Sequence, residues 1–115
     1  MNSSYCMVIT TVTDREVAEK LAESILNKKL AACIQMADIR SFFLWEGSLL
    51  KEEEVALYIK TTKARYSDLE GYIEKNHPND VPEIIKLPIT DGLPSYLDWL
   101  DSITGSLSSG YSPCC

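Results

Sequence analysis

The chain has few side chains that bind metals or carry protons near neutral pH. It contains one histidine, His77, and four cysteines, Cys6, Cys33, Cys114 and Cys115. Copper and zinc sites are usually built from three or four imidazole and thiolate ligands. No C-x-x-C or H-x-x-H spacing is present, so a single copy carries no preassembled soft-metal site. Cys33 lies in an apolar strand pattern, where a small buried hydrophobic side chain is the alternative to a ligand.

A second group of polar side chains lies within the strand pattern of residues 50–62. Glu54, Tyr58 and Lys60 recur at even spacing and therefore share one face of that strand. This face is either solvated or part of a pocket between subunits that binds a small polar or anionic ligand. A buried lysine needs a partner, and Glu54 is the available carboxylate.

The composition disfavours several classes of protein. The formal net charge is −6, whereas nucleic-acid binding needs a basic surface. No stretch approaches the ~18 apolar residues of a membrane helix, and the N-terminus resembles no signal peptide. There is no Gly-rich phosphate loop, no Ser–His–Asp motif and no paired carboxylates beside a plausible cleft. Since the cysteines form no disulfide framework, we expect a reducing, cytoplasmic setting. The missing motifs, the negative charge and the lack of a long apolar stretch predict a non-enzymatic protein without nucleic-acid or membrane partners.

Hydrophobic periodicity predicts the elements that must position these side chains. They are a strand at Tyr5–Val12, a helix opened by a Thr13/Glu16 capping box, strands at 31–46 and 50–62 around a turn at Glu46–Ser48, a helix at 63–75, a strand at 83–89 and a short helix after Pro94. This βαββαβ order predicts an α+β, ferredoxin-like fold, with an antiparallel sheet and helices on one face. At 115 residues we expect one domain, 1–104, and a flexible tail, 105–115.

The central hairpin is long for a domain of this size. Two strands of about 15 residues would each span roughly 50 Å, whereas a compact domain is only about 34 Å across. The hairpin tip carries Phe42, Phe43 and Trp45, and an overhanging aromatic arm needs a partner surface. We therefore predict a homo-oligomer built by pairing of these arms. The alternative is a strand that bends near Asp38–Ser41 and folds over a monomer.

Five sequence blocks, in order, resemble the CutA family of divalent-cation tolerance proteins. LAACIQ is similar to the family's LAACVN, FLWEG to YxWxG, EVALYIKT to a strand ending in KT, HPNDVPEIIKLPI to HPYEVPEIIxLPI, and YLDWL to YLxWI. The match covers residues 8–103. The chain departs from the pattern at Gln35, where the family usually has Asn, and at Asn79, where it usually has an aromatic residue.

The resemblance implies a cytoplasmic homotrimer, similar in architecture to the PII signalling proteins and linked to tolerance of copper and other divalent metals. It implies no enzymatic reaction. In a trimer each candidate ligand occurs three times, so we predict a metal site in which His77 meets Cys33 or Glu83 of a neighbour. The alternative is a PII-like sensing module with a ligand pocket that includes Thr61 beside Lys60.

Two further predictions concern the chain's aromatic and terminal residues. We expect Trp99 to join Phe42, Phe43 and Trp45 at the oligomer interface. The vicinal pair Cys114–Cys115 is either an accidental trap for a soft ion such as Cu(I) or two solvated thiols on the tail.

Overall fold

A computed structural model describes residues 4–105. The elements are β1 (Tyr5–Val12), α1 (Arg15–Asn27), β2 (Cys33–Trp45), β3 (Ser48–Thr62), α2 (Lys63–Asn76), β4 (Ile84–Ile89) and α3 (Pro94–Thr104). The four strands form one sheet in the order β2-β3-β1-β4, and all neighbouring strands are antiparallel. The predicted ferredoxin-like α+β fold is confirmed. The predicted tail and its cysteine pair lie almost wholly outside the described residues.

The main core lies between the sheet and the two helices α1 and α2. Val8 of β1 and Leu57 and Ile59 of β3 are fully buried against Leu69 and Ile73 of α2. The predicted alternation along β3 is therefore confirmed, since its odd-numbered residues face the helices. Burial of such aliphatic side chains contributes about 1.5–3 kcal/mol each, which makes this layer the main source of stability.

The start of α1 differs from the sequence prediction by one residue. Asp14, not Thr13, is the N-cap, and its carboxylate accepts hydrogen bonds from the backbone N–H groups of Glu16 and Val17 at 2.8 and 3.1 Å. A carboxylate at this position satisfies two unpaired amides and also interacts favourably with the helix dipole. The predicted Thr13 capping box is therefore wrong, because the stronger acceptor follows it directly.

The third helix lies on the opposite face of the sheet, at one end. Trp99 and Leu100 of α3 pack on Cys33, with Tyr5 and Tyr96 at the edge of this smaller cluster. The prediction that the helices lie on one face of the sheet therefore holds for α1 and α2 and is wrong for α3. Trp99 is already covered within its own chain, so little of its ring is available for the predicted contact with another copy.

The central hairpin is unbroken and extends past the rest of the sheet. Pairing between β2 and β3 continues from Cys33–Lys60 to Trp45–Ser48 without a break. The alternative of a strand bent at Asp38–Ser41 is therefore wrong. Because β1 ends opposite Val55, the segments 39–45 and 48–54 pair only with each other. We call these segments the arm; the longest dimension of the molecule, 49 Å, agrees with the length predicted for such a hairpin.

The arm ends in a two-residue turn with an unfavourable residue. Glu46 and Gly47 have φ values of 49° and 81°, as a type I′ turn requires, and Trp45 pairs directly with Ser48. A glycine adopts positive φ without strain, whereas a glutamate does so at a cost.

We expect Glu46→Asn to stabilise the arm by about 0.5–1 kcal/mol, since asparagine tolerates this conformation better. The gain should be seen as slower hydrogen exchange of the arm amides, while amides of α1 are unchanged. Glu46→Gln keeps the size and removes the charge, so an equal gain in that variant would contradict the backbone explanation.

Candidate functional site

His77 lies directly after α2 and is buried beneath the loop that leads to β4. Its Nε2 is 2.7 Å from the carbonyl oxygen of Thr11, at the end of β1. The backbone N–H of Asn79 donates to its Nδ1 at 3.1 Å. Both ring nitrogens therefore have partners within the same chain.

These two contacts define the tautomer of the ring. The Asn79 amide can only donate, so Nδ1 carries the lone pair, and the Thr11 carbonyl can only accept, so Nε2 carries the proton. His77 is thus neutral and ties the 78–81 loop to the end of β1. A metal ion would have to displace the Asn79 amide to reach Nδ1, because neutral imidazole binds metals through a free nitrogen lone pair.

The other predicted metal ligands lie elsewhere in a single chain. Cys33 pairs across from Lys60, whereas Thr11, the partner of His77, pairs across from Ala56. Cys33 and Thr11 are therefore separated by four residues along the strands and by two strands across the sheet, a distance of roughly 16 Å. Glu83 is exposed just before β4. Among residues 4–105 no three His, Cys, Asp or Glu side chains are grouped closely enough to hold a metal ion.

The cysteines in the described range are not available as thiolates. Cys33 is buried under α3 and is disulfide-bonded, so its sulfur could bind a metal only after reduction. Cys6 is the free cysteine of residues 4–105, and it lies in the main core. Burial raises the pKa of the Cys6 thiol, and Lys86 only partly offsets this effect. A raised pKa lowers the thiolate fraction and with it the affinity for soft metals.

The predicted ligand-pocket residues also separate. Tyr58 and Lys60 are half-buried on the sheet face that α3 shares, and the Lys60 Nζ lies 5.7 Å from the centre of the Tyr96 ring. Glu54 is six residues away on the same strand, roughly 20 Å along it, so it does not pair with Lys60. Thr61 points to the opposite face, where its hydroxyl donates to the Leu30 carbonyl at 2.7 Å. In a single chain the predicted pocket is therefore not assembled.

Two cavities that the sequence did not reveal lie at the root of the arm. The first, about 500 Å³, is on the side of α1 and is lined by charged residues of α1, β2 and β3. Arg15 forms an ion pair with Asp38, and the Arg40 guanidinium lies 3.6 Å from the Glu53 carboxylate. Arg40 and Glu53 are directly opposite in the strand register, which sequence reasoning could have found by aligning β2 with β3 around the turn.

The second cavity, about 420 Å³, is on the other face of the arm. One wall is the arm itself and the other is the loop after His77. The lining residues are Phe43, Trp45, Leu50, Glu52, Glu54, Pro78, Asn79, Asp80 and Val81. We call this the aromatic cavity.

Comparison with known proteins agrees with this architecture. The family model described as CutA1 divalent ion tolerance protein matches residues 6–103. The chain is 43% identical over 99 residues to the chloroplastic CutA protein of Arabidopsis thaliana, covering 85% of this chain and 54% of that protein. It is 37% identical over 100 residues to the divalent-cation tolerance protein CutA of Thermus thermophilus, covering 86% of this chain and 97% of that protein.

Solved structures give the same result. The periplasmic divalent cation tolerance protein CutA of Archaeoglobus fulgidus has a TM-score of 0.85 at 34% identity, with 87% of this chain and 98% of that chain covered. The CutA1 structure of Oryza sativa has a TM-score of 0.86 at 39% identity, with 89% of this chain and 94% of that chain covered.

The fold and the hairpin define the class as an α+β protein with a ferredoxin-like sheet and an extended arm. The chain belongs to the CutA1 divalent ion tolerance family. It spans about half the length of the Arabidopsis relative and nearly all of the Thermus one. Within residues 4–105 no helix is long and apolar enough to cross a membrane.

The role of His77 as a tie between the loop and β1 is testable. We expect His77→Phe to destabilise the protein by roughly 2–3 kcal/mol, because the Thr11 carbonyl and the Asn79 amide lose their partner. Urea denaturation measures this change, and Glu83→Gln, an exposed site nearby, should change stability by less than about 0.5 kcal/mol. In the unsubstituted protein, ¹⁵N spectra should show a protonated Nε2 and an unprotonated Nδ1; the reverse pattern would contradict the assigned tautomer.

Proposed function

We propose that this chain acts in tolerance of divalent metal ions as a homotrimer and without catalysing a reaction. The observation that carries this proposal is the family match over residues 6–103, supported by relatives that are named divalent-cation tolerance proteins. The contacts of His77 support a non-enzymatic role, because the chain's one imidazole is engaged with backbone groups at both nitrogens. Growth of the source organism with and without this chain, at rising copper concentration, tests the role; equal growth would contradict it.

Exposed apolar surface supports the oligomer. On the sheet face away from α1 and α2, Ile85 is 48% exposed and Leu87 39%, next to Met7 and Ile9 of β1. The same face of the arm adds Trp45, 51% exposed, and Phe43, 36% exposed. Soluble monomers rarely leave such contiguous apolar surface uncovered, so a partner surface is expected. The trimeric state itself is the proposal implied by the family resemblance.

We expect Leu87→Arg to shift the protein from trimer towards monomer, because a charge would be buried between apolar faces at a cost of several kcal/mol. Light scattering after gel filtration measures the mass. Leu26→Arg is the matched control, since Leu26 is 36% exposed on the surface of α1. A monomer in the unsubstituted protein, or equal dissociation in both variants, would contradict this interface.

Direct copper binding by Cys33, His77 and Glu83 stays a prediction from the sequence. Two changes to the described chain are required for it. Reduction must release the Cys33 sulfur, and the ion must compete with the Asn79 amide for Nδ1 of His77. A neighbouring subunit must also bring the ligands together.

Copper titration of the reduced, assembled protein tests this set. If these ligands hold the ion, binding saturates at a fixed ratio per trimer and weakens at least about tenfold in His77→Ala or Cys33→Ala, as loss of one ligand usually does. Deletion of residues 114–115 should leave it intact. Binding that is lost only with that deletion would contradict the ligand set, while the tolerance role could still hold through another mechanism.

A PII-like role in sensing a small ligand is the second candidate. The two cavities at the root of the arm favour it, since both lie beside the segment that we propose contacts neighbouring subunits. The cytoplasmic setting stays a proposal. It was predicted from cysteines without a disulfide framework, whereas Cys33 is disulfide-bonded, and the relatives' names include both a chloroplastic and a periplasmic protein. A thermal-shift screen of metabolites tests the sensing role, because a ligand that binds the folded state raises Tm.

A further inference from the structure

We propose that Cys33 forms its disulfide with Cys114 or Cys115 of the same chain, and that this bond is a redox-controlled tie between the C-terminus and β2. We call Cys114 and Cys115 the terminal pair. The inference concerns a covalent site and does not depend on metal tolerance. A bond within one chain is also independent of what covers this face of the sheet in the assembled protein.

The number of cysteines leaves few partners for Cys33. The chain contains four, and the two within residues 4–105 are Cys6 and Cys33. Cys33 is disulfide-bonded, whereas Cys6 is free. A disulfide within the chain therefore has to join Cys33 to one member of the terminal pair. Both members lie outside the described residues, and it is the bonding state of Cys33 that assigns them as candidates.

The two faces of the sheet exclude Cys6 independently. Cys6 is opposite Thr61 in the strand register, and Cys33 is opposite Lys60. Successive residues of β3 point to opposite faces, so the two cysteine side chains lie on opposite sides of the sheet. Cys6 belongs to the core under α1 and α2, and Cys33 to the cluster under α3. Since β3 lies between their strands, a bond between them would require the sheet to come apart.

The end of α3 is close enough to Cys33 for the proposed bond. Leu100 of α3 packs on Cys33, and Gly105 follows Leu100 by five residues, or about 7.5 Å along a helix. Cys114 is nine residues beyond Gly105, and a chain of that length spans up to about 30 Å. The terminal pair can therefore reach Cys33 without displacement of any helix or strand. It approaches on the α3 face of the sheet, which is the face that carries Cys33.

The bond would restrain α3. This helix is held on the sheet by a small cluster, in which Trp99 and Leu100 pack on Cys33. Near its end, the Arg65 side chain donates to the Thr104 carbonyl at 2.6 Å. A covalent tie from the residues that follow α3 back to Cys33 closes a loop around the helix. Loop closure removes conformational freedom that a detached α3 would gain, so α3 opens less often in the oxidised protein.

The bond forms in two exchange steps with a small disulfide such as oxidised glutathione. The thiolate of the terminal pair attacks first, because Cys33 is only 1% exposed. The small disulfide breaks, a mixed disulfide forms on the chain and one small thiol leaves and takes up a proton. The Cys33 thiolate then attacks the chain's sulfur in this mixed disulfide, and the second small thiol leaves with the electron pair. Two protein thiols are oxidised and one small disulfide is reduced to two thiols; a dithiol reverses both steps.

Adjacent cysteines make the attachment tolerant of a shift by one residue. Cys114 and Cys115 differ in reach by only about 3.3 Å, which is small against a link of about 30 Å. One of them forms the bond and the other keeps its thiol. This assignment replaces both alternatives considered for the pair, a trap of two thiolates for a soft ion and two solvated thiols. Two thiols at the C-terminus, and a thiol at Cys33, exist together only after reduction.

Peptide mapping of the full-length, assembled protein tests the pairing. The protein is equilibrated with oxidised glutathione, denatured, alkylated without reductant and cut with trypsin. Cleavage after lysine and arginine places the cysteines on three peptides, residues 1–15, 30–40 and 87–115. We expect 30–40 to be joined to 87–115, with one alkylated cysteine in 87–115 and an alkylated Cys6 in 1–15. On a non-reducing denaturing gel the linked protein should run as a single chain of 12.9 kDa.

Serine variants locate the bond. The double variant Cys114→Ser/Cys115→Ser should lose the link, and at least one of the two single variants should keep it. Cys33→Ser should also lose it, and the terminal variants keep the test valid if Cys33→Ser folds poorly. Cys6→Ala is the matched control and should keep the link in full. A link from 30–40 to 1–15, a link only between two chains, or no link after oxidation would each overturn the proposal.

Hydrogen exchange measures the restraint on α3. We expect α3 amides to exchange about threefold or more slowly in the oxidised protein than after dithiothreitol treatment, while α1 amides are unchanged. The double variant at the terminal pair should show no such difference. Equal α3 rates in the two redox states would overturn the role of the bond as a tie. Both measurements are made without metal, so their failure would leave the proposed metal tolerance intact, and loss of tolerance would leave the link intact.

Discussion

The features at the root of the arm follow from the pairing of one short strand with one long one. β1 has 8 residues and β3 has 15, and they pair from Val55 to Thr62. N-terminal to Val55, the strand partner of β3 among the described residues is β2 alone, so the two strands continue together as the arm. Apolar side chains of the arm are not covered by the rest of their own sheet, so they are either exposed to solvent or covered by another subunit. Both cavities and the proposed subunit contacts arise from this mismatch.

His77 links this overhang to the body of the protein. Its two hydrogen bonds do not hold a ligand; they fix a backbone loop against the end of β1. The ring thus supplies a donor and an acceptor where β1 stops and the ladder of backbone hydrogen bonds is interrupted. A neutral histidine is well suited to this place, because it can accept from one backbone group and donate to another at the same time. A binding function for the region then depends on side chains around the loop.

The sequence predicted the architecture because that architecture is encoded locally. Alternation along residues 54–60, the turn at Glu46–Gly47 and the order of elements each specify one face or one connection, and they agree with each other. The candidate sites were harder to predict because they depend on register between distant strands. Thr61 falls on the opposite face from Lys60, and Lys60 lies over Tyr96 instead of beside Glu54. Spacing along one strand cannot show which residues of another element will be opposite.

The two faces of the arm differ in the side chains they carry. On the face of the sheet that carries α1 and α2, the arm has Lys51 beside apolar side chains, those of Phe42, Leu44 and Leu49. On the other face, which we call the inner face, two glutamates lie beside Phe43, Trp45 and Leu50. A purely adhesive arm would be expected to carry few charges at its contact surface, since buried unpaired carboxylates are costly. The inner face instead keeps Glu52 and Glu54 beside its rings. Since Ile85 and Leu87 lie on the same face of the sheet as these residues, the proposed subunit contact has to accommodate the two carboxylates as well as the rings.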